Sequence, residues 1–184
     1  MINYSVLLDR LTQDPRYLAN VDWGEPRSGH PEGSILAHIR DLERNLASLQ
    51  GRLSAEECAK LRVLIHTHDT FKPEAKSGVP ILHARSHASL AREYLESLGA
   101  GSDLQTIAQY HDEPYALWRQ HEHKGVVSET RMETLLRVID DWDLFLAFLI
   151  VDGCTEGKSR APLEWFLNSI EGRVATRFSV EDIL

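Results

Sequence analysis

Nine of the 184 residues are histidine, and several fall on the apolar stripes of helical segments rather than on their polar faces. His38 repeats with Ile35 and Leu42, and His68 with Leu61, Leu64 and Ile65. His87 repeats with Leu90, Ala91 and Tyr94, and His111 with Leu104, Ile107 and Ala108. One such imidazole is ordinarily a core residue satisfied by a hydrogen bond. Four on successive helices are costly to bury unless something organises their lone pairs, and a metal ion does so. Two carboxylates join them: Asp69, beside His68, and Asp140, at the centre of the longest apolar segment. A carboxylate in such a segment must be paired, protonated or bound to metal. Imidazole nitrogen with carboxylate oxygen suits manganese, iron, zinc, cobalt or nickel, as one or two divalent ions.

The elements that must position these groups read as helices. Ser34 opens a stripe that Gly51 ends, and Ser54 with Glu57 forms a capping box for a segment broken at Pro73. His83, His87, Leu90, Ala91, Tyr94, Leu95 and Leu98 share a face closed by Gly99. Ser102 should cap a short helix stopped near Pro114, and a further one should run from Pro114 to about His123. Ser128 opens the longest segment, read as one continuous helix through Asp140 to Val151. A last helix is expected around Leu163 to Ile170 and a turn over Ser179 to Leu184, whereas Pro15 to Gly33 reads as a loop. The expectation is an all-α, single-domain bundle of about six to eight helices.

At this point the residues carry a resemblance. The run LRVLIHTHDTFK places His68-Asp69 near the end of an apolar helix, with Lys72 three residues after Asp69. With His38 upstream and Asp140 downstream, in LLRVIDDWDLF, it resembles the HD-domain superfamily of metal-dependent phosphohydrolases over residues 34–151. Residues 152–184 would then be a C-terminal helical extension of the same domain. The resemblance implies an all-α bundle with metal at its centre. HARSHASLAREYLESLG resembles the helix that adds a histidine in the dinuclear subgroups, with His87 at the matching position; IAQYHDE resembles the next, with His111 matching. The implied ligand set is His38, His68, Asp69, His87, His111 and Asp140. Asp112 stands where the cyclic-dinucleotide-cleaving branch often has a second histidine, and that branch's GYP signature is absent, so this specificity is not implied.

In a two-ion reading Asp69, having two oxygens, would bridge the metals, and the site would carry a charge of about +2. A water whose pKa falls to about 7 would attack phosphorus. Lys72, at the helix end before Pro73, would meet a phosphate oxygen, so Asp69 and Lys72 are the candidate catalytic residues. Weaker candidates for substrate contact are Asp143, one turn beyond Asp140, and Lys158 and Arg160 in TEGKSRAP. His83, four residues before His87, competes for its role, and His87 is preferred because its spacing reproduces the family segment. His66 reads as structural or exposed, His121 and His123 as a solvated loop, and His30 as part of a mouth.

Composition bounds the partners. Twenty basic against 28 acidic residues give a net charge of −8, which disfavours a polynucleotide or an anionic membrane and leaves a small phosphorylated substrate. Hydrophobic residues at 42% and charged residues at 26% exclude a mainly disordered chain. Two cysteines, Cys58 and Cys154, cannot build a disulfide framework. No signal peptide is visible at the start, and the longest apolar run, Leu144 to Val151, is too short to span a bilayer. A cytoplasmic protein is expected, with a homodimer compatible with the sequence and its oligomeric state left open. The expected function is hydrolysis of a phosphomonoester or phosphodiester in a small metabolite or nucleotide by metal-activated water. An HD-fold diiron oxygenase acting on a phosphonate- or polyol-like substrate would use the same ligands, and a non-catalytic sensor module is the third reading.

Overall fold

Short polar residues set where the helices begin. In the computed structural model, which describes residues 2–27 and 31–184, Asn3 opens α1 (Tyr4–Thr12) and Asp14 opens α2 (Pro15–Asn20). Ser34 accepts from the Ala37 N–H to start α3 (Ile35–Leu49). The Ser54–Glu57 capping box is formed at α4 (Ala55–Thr67), satisfying amide groups that a helix start leaves without partners. Ser86 opens α5 (His87–Ser97), and α6 (Ser102–Tyr110) follows with Gly101, not Ser102, at its cap. Next come α7 (Glu113–Lys124), α8 (Glu129–Val138), α9 (Trp142–Gly153) and α10 (Ala161–Ile170). Short 3-10 turns lie at Gln50–Arg52, Lys72–Glu74 and Val180–Asp182.

The chain is all-α, a single helical bundle around one hydrophobic core. It has more helices than expected for two reasons. The segment read as a loop contains α2, and α1 precedes it. The segment read as one long helix is two: Ile139 leaves helical geometry, and Asp141 accepts from the Leu144 N–H at 2.9 Å to start α9 afresh. That break decides which carboxylate reaches the core.

α9 is the axis of the bundle. All of Leu144–Val151 is buried, as a helix apolar on every side must be. It packs against α3, α4 and α10; α4 in turn meets α1, α3 and α6, while α5 lies on α6 and α10 on α7. The C-terminal end of α4, the C-terminal end of α6 and the last turn of α9 therefore converge beside α3. Among the described residues no helix is long and apolar enough to cross a membrane.

Candidate metal centre

Helix ends aim the histidines. The last carbonyls of a helix have no intrahelical partner, and at α4 and α6 the residue that caps the end supplies one. His68 Nδ1 lies 3.2 Å from the carbonyls of both Leu64 and Ile65, and His111 Nδ1 lies 2.8 Å from that of Ala108. A carbonyl only accepts, so each Nδ1 is the donor and each Nε2 faces the interior, where the neutral ring offers its lone pair. His38, on α3, is fixed differently. Its Nδ1 is 2.9 Å from Glu32 Oε1, both side chains nearly inaccessible, which turns Nε2 toward α9.

Two groups of side chains that could hold a metal ion result. His38, His68 and Asp152 form one, and Asp69, His87 and His111 the other; within each, one ligand atom per residue lies within 4.8 Å of the rest. In the first, His38 Nε2 is 3.0 Å and His68 Nε2 is 3.9 Å from Asp152 Oδ1. In the second, the Nε2 atoms of His87 and His111 are 3.3 Å apart and lie 3.7 and 3.8 Å from Asp69 Oδ1. Asp69 spans the two, since its other oxygen is 3.5 Å from His68 Nε2. Asp112 adds a carboxylate on the second group's outer side, 3.2 Å from His87 Nε2.

The residues fit a metal ion. His68 Nε2 is buried without a hydrogen-bond partner, an expensive state for a lone pair unless a cation takes it. Burial pushes the His68 imidazole down to about 4, so it is neutral at pH 7, the form that ligates. Burial would raise Asp69, but Lys72, His68 and His111 outweigh it and hold its carboxyl well below the usual range. Asp152 is likewise held low against burial, chiefly by Lys158 and His38. His111 goes the other way: burial lowers it, yet Asp112 and Asp69 together push it up to about 9. Carboxylates crowded around that ring call for positive charge there.

Five of the six expected ligands are brought together, and the distant aspartate is corrected. Asp140 is exposed in the break between α8 and α9, while Asp152, in the last turn of α9, takes its place. The sequence did carry a signal for Asp152: it ends the apolar run and precedes Gly153, much as His68-Asp69 ends α4. Glu32 sent no periodic signal, because it lies before its helix. His83 is exposed in the turn before α5, so the histidine in the cluster is His87. His66 pairs with the Tyr17 hydroxyl at 2.7 Å, and His121 stacks on Trp165. His30 lies outside the described residues.

His68, Asp69, His111 and Asp152 floor a cavity of about 370 Å³. Lys72 pairs with Asp69 beside it. Lys158 donates to Asp152 Oδ1 at 2.8 Å and to the Asp152 carbonyl at 3.0 Å. Gly157, at φ +79°, turns the chain there, and a Cβ would come within 3.0 Å of Pro31. The other two weak candidates are engaged elsewhere. Arg160 donates to the carbonyls of Gly153, Cys154, Thr155, Lys158 and Leu184, bracing the turn that carries Lys158. Asp143 accepts from Thr176 and Arg177, tying down the C-terminal segment.

Compared with family models, curated proteins and solved structures, the chain matches none.

Proposed function

We propose that this chain is an HD-type metal-dependent phosphohydrolase that cleaves a phosphomonoester or phosphodiester bond in a small metabolite or nucleotide. The observation that carries the reading is one cavity lined by His68, Asp69, His111 and Asp152, members of both His/Asp groups, together with two lysines. Lys72 and Lys158 each sit on a carboxylate that is also a candidate ligand. Divalent ions bound at the clusters would supply Lewis-acid charge and lower the pKa of a reacting water. His38, His68 and Asp152 would hold one ion, and Asp69, His87 and His111 the other, with Asp69 shared.

The chain's own contribution is placement and charge. Asp69, Asp112 and Asp152 against Lys72, Lys158 and the protonated His111 leave the cavity lining without net charge before any ion binds. With cations bound, the carboxylates are neutralised and both ammonium groups become available to phosphoryl oxygens. Burial would lower Lys72, but Asp69 and Asp112 outweigh it and raise it, so it stays charged at any working pH. Water oxygen joins phosphorus, the ester P–O bond breaks, and the alcohol departs with a proton. Positioning and electrostatics supply most of the rate in such transfers.

The two lysines favour hydrolysis over the diiron oxygenase that the same donors would serve, and the complete ligand set favours an enzyme over a sensor module. The reading carries a cytoplasmic location with it, supported by Cys58 and Cys154 both being free thiols. It also implies a small phosphorylated substrate, without stable nucleic-acid or membrane binding. The test is elemental analysis of protein purified without added metal, followed by a panel of phosphate mono- and diesters. Lys72→Ala should keep its metal and lose about 10²-fold in turnover, as when one charge-stabilising donor is removed. Oxygen-18 from solvent should enter the released phosphate. Dioxygen consumption stoichiometric with product on an iron-loaded sample would overturn the assignment in favour of the oxygenase.

A further inference from the structure

The cavity has two chemically different halves. Its floor is the His/Asp cluster with Lys72 and Lys158. Its outer wall is aromatic and apolar, built by Tyr115 and Trp118 from α7 with Leu163 and Phe166 from α10. Tyr115 and Trp118 are three residues apart, so they share a helix face; their rings lie 5.6 Å apart at an interplanar angle of 32°. Tyr115 is half exposed, so its ring is open to a ligand in the cavity. Among the described lining residues the only lysine or arginine side chains are Lys72 and Lys158, both at the metal floor.

We propose that the ligand of this site is the monophosphate ester of a flat, uncharged ring system, a nucleoside or an aryl alcohol, and that Trp118 recognises the ring. The inference rests on the phosphohydrolase reading for the orientation of the phosphate. Size and charge both restrict the ligand. A volume of about 370 Å³ lies near the small end of ligand sites, at roughly 300–1,000 Å³, enough for one ring system and one phosphate. A second phosphate, or the next nucleotide of a polymer, would place an anion against Trp118, Phe166 and Leu163, where nothing offsets its lost hydration. A flat ring stacks on Trp118 without needing a polar partner.

The test uses the full chain loaded with manganese or iron and three monoesters: a nucleoside monophosphate, p-nitrophenyl phosphate and glycerol phosphate. The ring-bearing esters should exceed glycerol phosphate at least about tenfold in kcat/KM. Trp118→Ala should lower that ratio by about tenfold, the scale of a lost base–aromatic stack, while Trp118→Phe restores most of it. The loss should fall on KM rather than kcat. Comparison of the two ring-bearing esters identifies which kind of ring the wall prefers.

Direct binding separates this proposal from the reading beneath it. By calorimetry, Trp118→Ala should weaken the ring-bearing monophosphate about tenfold relative to inorganic phosphate, whether or not turnover is seen. If none of the esters is hydrolysed but this ratio still moves, the hydrolase reading fails and ring recognition stands. Equal affinity for glycerol phosphate and the ring-bearing esters, tighter binding of the nucleoside diphosphate, or a ratio insensitive to Trp118→Ala would each overturn the proposal. Circular dichroism on both variants identifies any that fail to fold; if Trp118→Ala is among them, Trp118→Leu, which keeps apolar bulk without a ring, carries the same ratio measurement.

Discussion

Glu32 holds His38 by Nδ1, 2.9 Å away, and so determines which ring nitrogen faces Asp152. A carboxylate behind a histidine fixes its tautomer and raises its basicity as a ligand, and removing such a partner typically costs about 10–100-fold in metal affinity. Glu32→Ala should weaken metal binding by about that factor, measured by competition with a chromophoric chelator. Glu32→Gln should retain most of the affinity, since its amide oxygen can occupy the place of the carboxylate oxygen beside Nδ1. An alanine variant with unchanged affinity would mean that Ser34 and α3 alone orient the ring. His68 and His111 need no such carboxylate, because carbonyls of their own helices hold Nδ1.

At the scale of elements, the break at 139–141 explains why Asp140 lies outside the clusters. Periodicity ran through Ile139 and Asp143 without interruption, so a continuous helix carried Asp140 into the core. What periodicity could not weigh was Asp141 as a cap: its side chain offers the Leu144 N–H a partner, and Ile139 turns extended just before it. The restart rotates Asp140 into solvent and leaves Asp152 at the buried end. Asp152→Ala should therefore lose tightly bound metal by elemental analysis, whereas Asp140→Ala should keep the parent stoichiometry; the reverse result would restore Asp140 as the ligand. The remaining ligands were legible because each sits on an apolar stripe or at the end of one. Glu32, and the roles of Arg160 and Asp143 as braces, depend on contacts between segments distant in sequence, which no local pattern encodes.

Capping makes a second prediction at this scale. Ser54→Ala removes the acceptor for the Glu57 N–H and should cost about 1 kcal/mol of stability in chemical denaturation. Metal stoichiometry should not change, since the site lies at the other end of α4. Burial would raise the Glu57 carboxyl, but bonds from Ser54 and Arg177 outweigh it and lower it below its ordinary value of 4.5. A carboxylate depressed on folding stabilises the native state above its unfolded pKa and loses that contribution as pH falls through the folded value. The parent's advantage over Glu57→Gln should accordingly be present at pH 6–7 and shrink on acidification below about pH 4.5. An advantage that persists unchanged into the acid would place the effect in packing.

At the scale of the whole molecule, the two clusters draw their side chains from α3, α5 and α9 and from the ends of α4 and α6, so an ion there would be bound by several helices at once. The unfolded chain offers no such convergence. An ion that binds only the native state adds about 2.7 kcal/mol at a concentration 100 times its Kd. For a chain of this size that amounts to roughly 5–10 °C in Tm, at about 2–4 °C per kcal/mol. The metal-free protein should nonetheless remain folded. Lys72 and Lys158 already pair with Asp69 and Asp152, which limits the repulsion among carboxylates that an empty centre would otherwise suffer. Chelated and metal-loaded samples at the same pH and salt should thus show the same far-ultraviolet helicity at 25 °C and differ in Tm by that interval. Asp152→Ala should narrow the difference, because it removes the carboxylate through which α9 joins the first group. Equal melting temperatures for the two parent samples would mean that the histidines are satisfied by one another and the lysines, and that the convergence of helices has no need of an ion.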